Sequence, residues 1–424
     1  MSTFQTELGE QVVSNRRALE ALRSGVPNRQ AVKILGANQP RLEARFQELL
    51  ERTGEANEPL TEGLGMTVSG RFGEGKSHIL QYFENEALSN QFVCSRISIN
   101  KQMPLSNLGN IFRCAIESAQ IPNGQSGLVM EELTVRLDFK TPEFVKFFQW
   151  ANQEAASNGL SQIFPASVTV FERSRDTSLQ QEIQDFWSGH PISASIINKG
   201  LSSVGARQAY SYKAPKKPDL PPQQFRFTLE LIKAAGYKGW VILLDEVEMV
   251  GSYSRLGRGK SYANLALLMG AAPDAQYPGL ISVAAITQDY YQAKIETDDI
   301  HEIPMYLRGK ADDATAARAT AGMHLLNNQS RIEIAELTDE DVESAIEKLR
   351  QVYTDAYNWP APNLEENLEG AGNVGRRIRS RVRTAVNSWD LMRLNPGTLP
   401  HMQTEDTYRP TYDEDPDMET TTAE

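Results

Sequence analysis

Apolar and polar positions follow helical spacing over the first 55 residues. Residues 12–22 and 31–35 carry apolar side chains at intervals of three and four, and a third such stretch opens at Pro40 and runs to about residue 52. Gly25-Val26-Pro27-Asn28 separates the first two, since glycine and proline interrupt helices. The pattern then changes. Residues 64–68 form a short apolar run and 92–99 are rich in β-branched side chains, so both predict strands. Two more strands are predicted at 240–244 and 280–286, each after a helical stretch (224–235 and 262–269). Beyond 332–334 the chain turns helical again, at 339–353 and 374–391. Strands alternating with helices predict a parallel sheet with crossover helices, an α/β fold.

Four parts follow. Residues 1–55 read as an N-terminal helical segment, 56–335 as the α/β core, 336–395 as a C-terminal helical lid and 396–424 as a tail. Within the core, 101–222 is a largely helical insertion that ends in a stiff proline-rich linker at 213–222.

Composition narrows the class. Forty per cent hydrophobic and 23% charged residues are ordinary for a soluble globular protein, and no run approaches the ~20 apolar residues of a membrane span. The polar first nine residues carry no apolar core of a secretory signal, so the expected location is the cytoplasm. Cys94 and Cys114 are too few for a disulfide framework or a four-cysteine zinc site and read as buried thiols. The net charge is −12, but residues 401–424 hold eight acids against Arg409, leaving −5 for the rest. That tail, with no apolar periodicity, reads as disordered.

The chemistry concentrates in two places. Gly70-Arg71-Phe72-Gly73-Glu74-Gly75-Lys76-Ser77 fits the phosphate-binding loop pattern, between a predicted strand and a predicted helix. Its glycines let backbone N–H groups curl round a phosphate, and the following helix N-terminus favours negative charge. Lys76 would bridge the β- and γ-phosphates of ATP, the Ser77 hydroxyl would coordinate Mg²⁺, and Glu74 and His78 complete the binding segment. The second place is Trp240-Val241-Ile242-Leu243-Leu244-Asp245-Glu246, an apolar strand tipped by two acids. Asp245 is placed to hold Mg²⁺ and Glu246 to polarise the attacking water. Glu248 reads as a solvated loop residue.

Further residues point to an AAA+-like branch of the P-loop NTPases. The strand at 280–286 ends in polar side chains, so Thr287 or Gln288 is the candidate to orient the lytic water. Arg255, Arg258 and Lys260, in a glycine-bearing segment, and the later Arg308 are candidates to reach a neighbouring subunit's γ-phosphate in a homo-oligomer, a contact worth about 10³–10⁵ in rate. Arg376, Arg377, Arg379, Arg381 and Arg383 crowd one helix whose apolar stripe is Val374, Ile378, Val382, Val386 and Trp389. Arg376 or Arg377 would sense the nucleotide from the lid, and the others can meet DNA phosphates. No Asn-Lys-x-Asp sequence favours guanine over adenine.

With these residues in place, the chain resembles a known family. The opening from Arg16 to Asn28, above all Leu22-Arg23-Ser24-Gly25-Val26-Pro27-Asn28, resembles the ATP-binding proteins of BREX anti-phage systems, the BrxC/BrxD family. The loop from Gly73 to His78 and Ala235-Gly236-Tyr237-Lys238-Gly239-Trp240, which leads into the acidic strand, match as well. The resemblance runs from about residue 12 to 391, and the length suits the short BrxD type. It implies a defence-system ATPase that works with other proteins on DNA. Two other readings stay open: a non-catalytic ATP-gated scaffold, and a small-molecule kinase sharing the loop.

Overall fold

The computed structural model of the protein describes residues 2–24, 28–55, 64–122, 124, 127–211, 216, 219–272, 277–327, 329–364 and 378–396. Five strands form one parallel sheet: β1 (Gly65–Gly70), β2 (Val93–Ser98), β3 (Trp240–Asp245), β4 (Leu280–Thr287) and β5 (Arg331–Glu333). Their order is β2-β3-β4-β1-β5, so β4 lies between the strand before the glycine-rich loop and the acid-tipped strand. Side chains alternate across the sheet with the two-residue period of a strand. On β3, Val241 and Leu243 pack on one face, and Trp240, Ile242 and Leu244 on the other. Every residue of β3 and β4 is buried, which is why their sequences are mostly apolar rather than alternating.

One face is covered by α3 (Pro40–Glu55) and α4 (Lys76–Ser89), whose Phe46 and Phe83 rings stack at 4.2 Å. The other carries α5 (Leu108–Glu117), α11 (Leu220–Ala234) and α12 (Arg255–Leu268). Five more helices lie between α5 and α11: α6 (Val129–Arg136), α7 (Pro142–Ala156), α8 (Ile163–Arg173), α9 (Thr177–Trp187) and α10 (Ala194–Ser203). Its core is continuous with that of the sheet. Phe164 and Trp187 pack on Phe227 of α11, and the Trp187 indole N–H donates to Ser167 Oγ at 2.9 Å.

Two expectations change here. The stiff linker expected at 213–222 ends inside α11, which starts at Leu220 with Pro221 and Pro222 in its first turn. Proline is tolerated there because first-turn N–H groups have no intrahelical acceptor. Residues 213–215, 217 and 218 of that segment lie outside the described residues. The glycine-bearing segment around Arg255 is also helical, because Ser254 Oγ accepts from the Gly257 N–H and starts α12 seven residues earlier than the apolar pattern suggests.

After β4 the chain forms a π-helical stretch, Tyr291–Asp299, then α13 (Ile300–Arg308) and α14 (Asp313–Leu325). Gly322 of α14 touches the Tyr262 backbone so closely that a Cβ would collide with the Tyr262 carbonyl. Beneath it, Arg258 is 1% exposed and pairs with Asp299 at 3.0 Å, while the Tyr262 hydroxyl donates to the same carboxylate at 2.7 Å. Arg258 is therefore a core cation and not a residue that reaches a neighbouring subunit.

A separate apolar cluster joins α1 (Ser2–Ser24) and α2 (Arg29–Leu35) to α15 (Asp339–Tyr357) and α16 (Ile378–Leu394), through Leu19, Leu35, Leu349, Tyr353, Val386 and Trp389. Asn28 Oδ1 accepts from the Ala31 N–H at 2.8 Å and starts α2. Arg23 Nε and the Tyr353 hydroxyl both donate to Asp390, each at 2.7 Å, tying α1, α15 and α16 together. On α16 the stripe Ile378, Val382, Val386 and Trp389 faces this cluster, and Arg383 is exposed. Gly25, Val26, Pro27, Val374, Arg376, Arg377 and the acidic tail from 397 lie outside the described residues, as does the side chain of Arg379. Cys94 is buried in β2, but Cys114 is only half-buried on α5. No helix of the described residues is long and apolar enough to cross a membrane.

Candidate functional site

The candidate site sits at the carboxyl ends of β1, β3 and β4, where open parallel sheets present loops and helix N-termini to ligands. The loop after β1 turns through Gly73 (φ 84°) and Gly75 (φ 102°), backbone that a side chain would strain. Gly75 is the residue before α4, so the first free N–H groups of a 14-residue helix face the loop's hollow. Glu74 braces the loop by accepting from the Arg71 N–H at 2.5 Å, and Arg71 Nη1 reaches Glu336 at 3.2 Å. Lys76 is 8% exposed, and its Nζ donates to the Gly70 carbonyl at 3.2 Å.

Ser77 and Asp245 meet. The Ser77 Oγ donates to Asp245 Oδ2 at 2.8 Å, and Arg96 Nη2 of β2 reaches the same oxygen at 2.9 Å. Asp245 Oδ1 accepts from the Glu246 N–H at 3.1 Å. The chain then turns sharply: Glu246 has left-handed backbone (φ 59°, ψ 36°), rare for a side chain with a Cβ, and leaves its carboxylate exposed. Its Oε2 accepts from Ser98 Oγ at 2.8 Å, which fixes it beside the tip of β2. Thr287, 4% exposed, stands at the end of β4 in register with Gly70, and Gln288 beyond it is half-buried.

His78 reaches from the first turn of α4 to the chain just after α2. Its Nε2 lies 2.6 Å from the Gly36 carbonyl oxygen, which can only accept, so Nε2 carries the hydrogen. Burial holds the imidazole below its usual value, opposed by that backbone bond. His78 thus joins α4 to the connection between α2 and α3.

A cavity of about 460 Å³ opens over these residues. Its floor is the loop with Lys76, Ser77, Arg96 and Glu246, and its walls are apolar side chains from the helical cluster: Leu22, Leu35, Ala37, Ile378 and Val382. This size and this mix of apolar wall and convergent polar groups are those of small-ligand pockets, ~300–1,000 Å³. Arg255, Lys260 and Arg308 are exposed and stand outside the cavity lining; Arg255 pairs with Glu302 at 3.2 Å.

Sequence reasoning missed three contributors. Arg96 is a lone cation inside an apolar strand, a signal that was available. Glu248, read as a solvated loop residue, is 8% exposed and lines the cavity, because a 3-10 turn at Val247–Ser252 folds it inward. The apolar wall comes from helices distant in sequence and had no local signature.

The BREX system ATP-binding protein BrxC/D family matches residues 14–138 and 222–385, more than half of the chain. Both matched stretches carry site residues: the first the glycine-rich loop, Arg96 and Ser98, the second Asp245, Glu246 and Thr287. The unmatched stretch between them holds most of the helical insertion. No curated protein and no solved structure matches the chain. Loop, acid-tipped strand and cavity wall all lie within the matched residues, and the chain belongs to the BREX system ATP-binding protein BrxC/D family.

Proposed function

We propose that this chain is a Mg²⁺-dependent ATPase of the P-loop class, AAA+-like and oligomeric, which couples ATP to a DNA-acting complex of an anti-phage defence system. The observation that carries the reading is the meeting of Ser77 Oγ and Asp245 Oδ2 at the foot of a glycine-rich loop that opens into a nucleotide-sized cavity. Two hard oxygen donors from separate elements suit Mg²⁺, which keeps several of its waters and takes one or two protein oxygens beside phosphate. When bound, the ion neutralises phosphate charge.

The chain's own residues do the rest. Backbone N–H groups from Gly73 to Ser77, with Gly70 keeping the loop base narrow, cradle the phosphates. Lys76 leaves the Gly70 carbonyl to bridge the β- and γ-phosphates, while Leu35, Ala37 and Val382 enclose the base and exclude water. Glu246, fixed by Ser98, and Thr287 orient the attacking water. The AAA+-like assignment is supported by β4, with Thr287 at its tip, lying between β1 and β3. Arg376 or Arg377 are proposed to sense the nucleotide; Arg381 and Arg383 are proposed DNA contacts, and other defence-system proteins are the proposed partners.

Steady-state ATP hydrolysis, with and without duplex and single-stranded DNA, tests this against Glu246→Gln. Turnover raised by DNA and strongly reduced in the variant supports the reading. ATP binding without turnover in any condition replaces it with an ATP-gated scaffold.

A further inference from the structure

One carboxyl at the site takes no part in the chemistry above. Glu248 lies in the turn Val247–Ser252, two residues beyond Glu246, on the wall of the same cavity as Lys76 and Glu246. It is 8% exposed, and among the described residues its Oε2 has no hydrogen-bond partner. A buried carboxylate oxygen without a partner costs stability and does nothing for the turn that holds it. Unspent hydrogen-bonding capacity on a residue that lines the cavity is what a proton acceptor needs before its substrate arrives.

We propose that Glu248 is a catalytic residue of ATP hydrolysis, the group that accepts the proton of the attacking water. The inference rests on the hydrolysis reading of this site and changes where the proton goes. The water oxygen bonds to the γ-phosphorus as the bond from that phosphorus to the β,γ-bridging oxygen breaks, and the electron pair stays on ADP. One water proton passes to the free oxygen of Glu248 and then to solvent, leaving inorganic phosphate. Glu246, exposed and bound to Ser98, orients the water without taking the proton.

The surroundings suit that role. Burial pushes the Glu248 carboxyl up to about 7; Lys76 opposes the shift, and the negative charges of Asp245 and Glu246 add to it. Tyr290, just beyond β4, also feels the Glu248 charge, and on α12 Arg258 and Tyr262 are tied to Asp299. A base with a pKa near the working pH combines availability with basicity. Lys76 turning to phosphate charge would leave Glu248 more basic still.

The test is the pH dependence of kcat between pH 5.5 and 9 for the wild type, Glu248→Gln and Glu246→Gln, with fluorescent ATP-analogue binding measured in parallel. The wild-type rate is expected to rise through an inflection near neutrality. Glu248→Gln should bind nucleotide, lose about 10²–10⁴ in kcat and show a residual rate without that inflection, whereas Glu246→Gln loses rate but keeps it. A Glu248→Gln rate within about twofold of wild type, or a slower rate with the inflection intact, overturns the assignment and leaves the ATPase reading standing. A wild-type profile flat across neutrality overturns it without needing the variant to fold. Nucleotide binding with no wild-type turnover at any pH sinks both.

Discussion

The Ser77 hydroxyl and the Asp245 carboxylate share a 2.8 Å hydrogen bond, although 168 residues separate them in the chain. Each belongs to an element with an independent reason to be there: Ser77 to the first turn of α4 behind a glycine turn, Asp245 to the end of a fully buried strand. In the proposed function their meeting marks the place for Mg²⁺. Ser77→Ala should weaken Mg²⁺-ATP binding by at least about tenfold while leaving metal-free nucleotide binding nearly unchanged. Titration of a fluorescent analogue with Mg²⁺ and with EDTA checks this; equal losses in both would remove Ser77 from the metal.

Lys76→Ala removes the cation at the phosphate end without touching the apolar wall. ATP at about 100 times its Kd should raise wild-type stability by about 2.7 kcal/mol and the variant's by close to nothing. Thermal unfolding with and without ATP reads the difference directly.

Ala37 stands on the apolar wall of the cavity. Filling the wall by Ala37→Trp should weaken ATP binding by about tenfold or more through steric exclusion, yet leave inorganic triphosphate binding within about threefold. Competition calorimetry with both ligands distinguishes the base subsite from the phosphate subsite. A similar loss for both would mean that the wall does not meet the base.

Glu248 makes stability depend on pH. Its carboxyl titrates near 7 when folded and near the ordinary 4.5 when unfolded, so between those values the folded state holds the extra proton. Stability from this group is full below about pH 4.5 and falls as pH rises to about 7, by ~3 kcal/mol in total. Glu248→Gln should therefore unfold at higher urea than wild type at pH 8, with the gap closing toward pH 5. A constant gap across that range would show that the side chain is not desolvated as described.

Arg258 and Asp299 form an ion pair whose two side chains are almost fully enclosed. Removing one partner leaves a buried charge uncompensated, so Arg258→Met and Asp299→Asn should each cost about 3–5 kcal/mol, and the double variant less than their sum. Denaturant midpoints for the four proteins close the cycle.

Much of the sheet and of the glycine-rich loop was legible in the sequence because the relevant signals are local. An apolar run, a glycine turn and a following helix lie side by side, and β3 announces itself as a buried strand through four successive apolar residues ahead of Asp245. What local signals cannot carry is convergence. Nothing around Leu22, Leu35 or Val382 says that they wall one cavity, because the contacts that bring them there span most of the chain. Arg258 failed for a related reason. Glycines on both sides of it suggested an open loop, whereas Gly257 takes the Ser254 cap and Gly259 lets Leu307 approach, and both serve a helix. Glu248 was misread because a 3-10 turn reverses which side of the backbone meets solvent.

The helical cluster carries a consequence for how the protein is made. Arg16 bonds the carbonyl of Ala356, a separation of 340 residues, and Leu19 is covered by side chains from α15 and α16. During synthesis the face of α1 that bears Leu19 and Leu22 emerges long before the surface that covers it. Until then it is an exposed apolar stripe, available to chaperones or to another nascent chain. The wall of the cavity, which borrows Leu22 from α1 and Val382 from α16, is therefore finished last, and a chain stalled short of α16 holds a complete glycine-rich loop beneath an open roof.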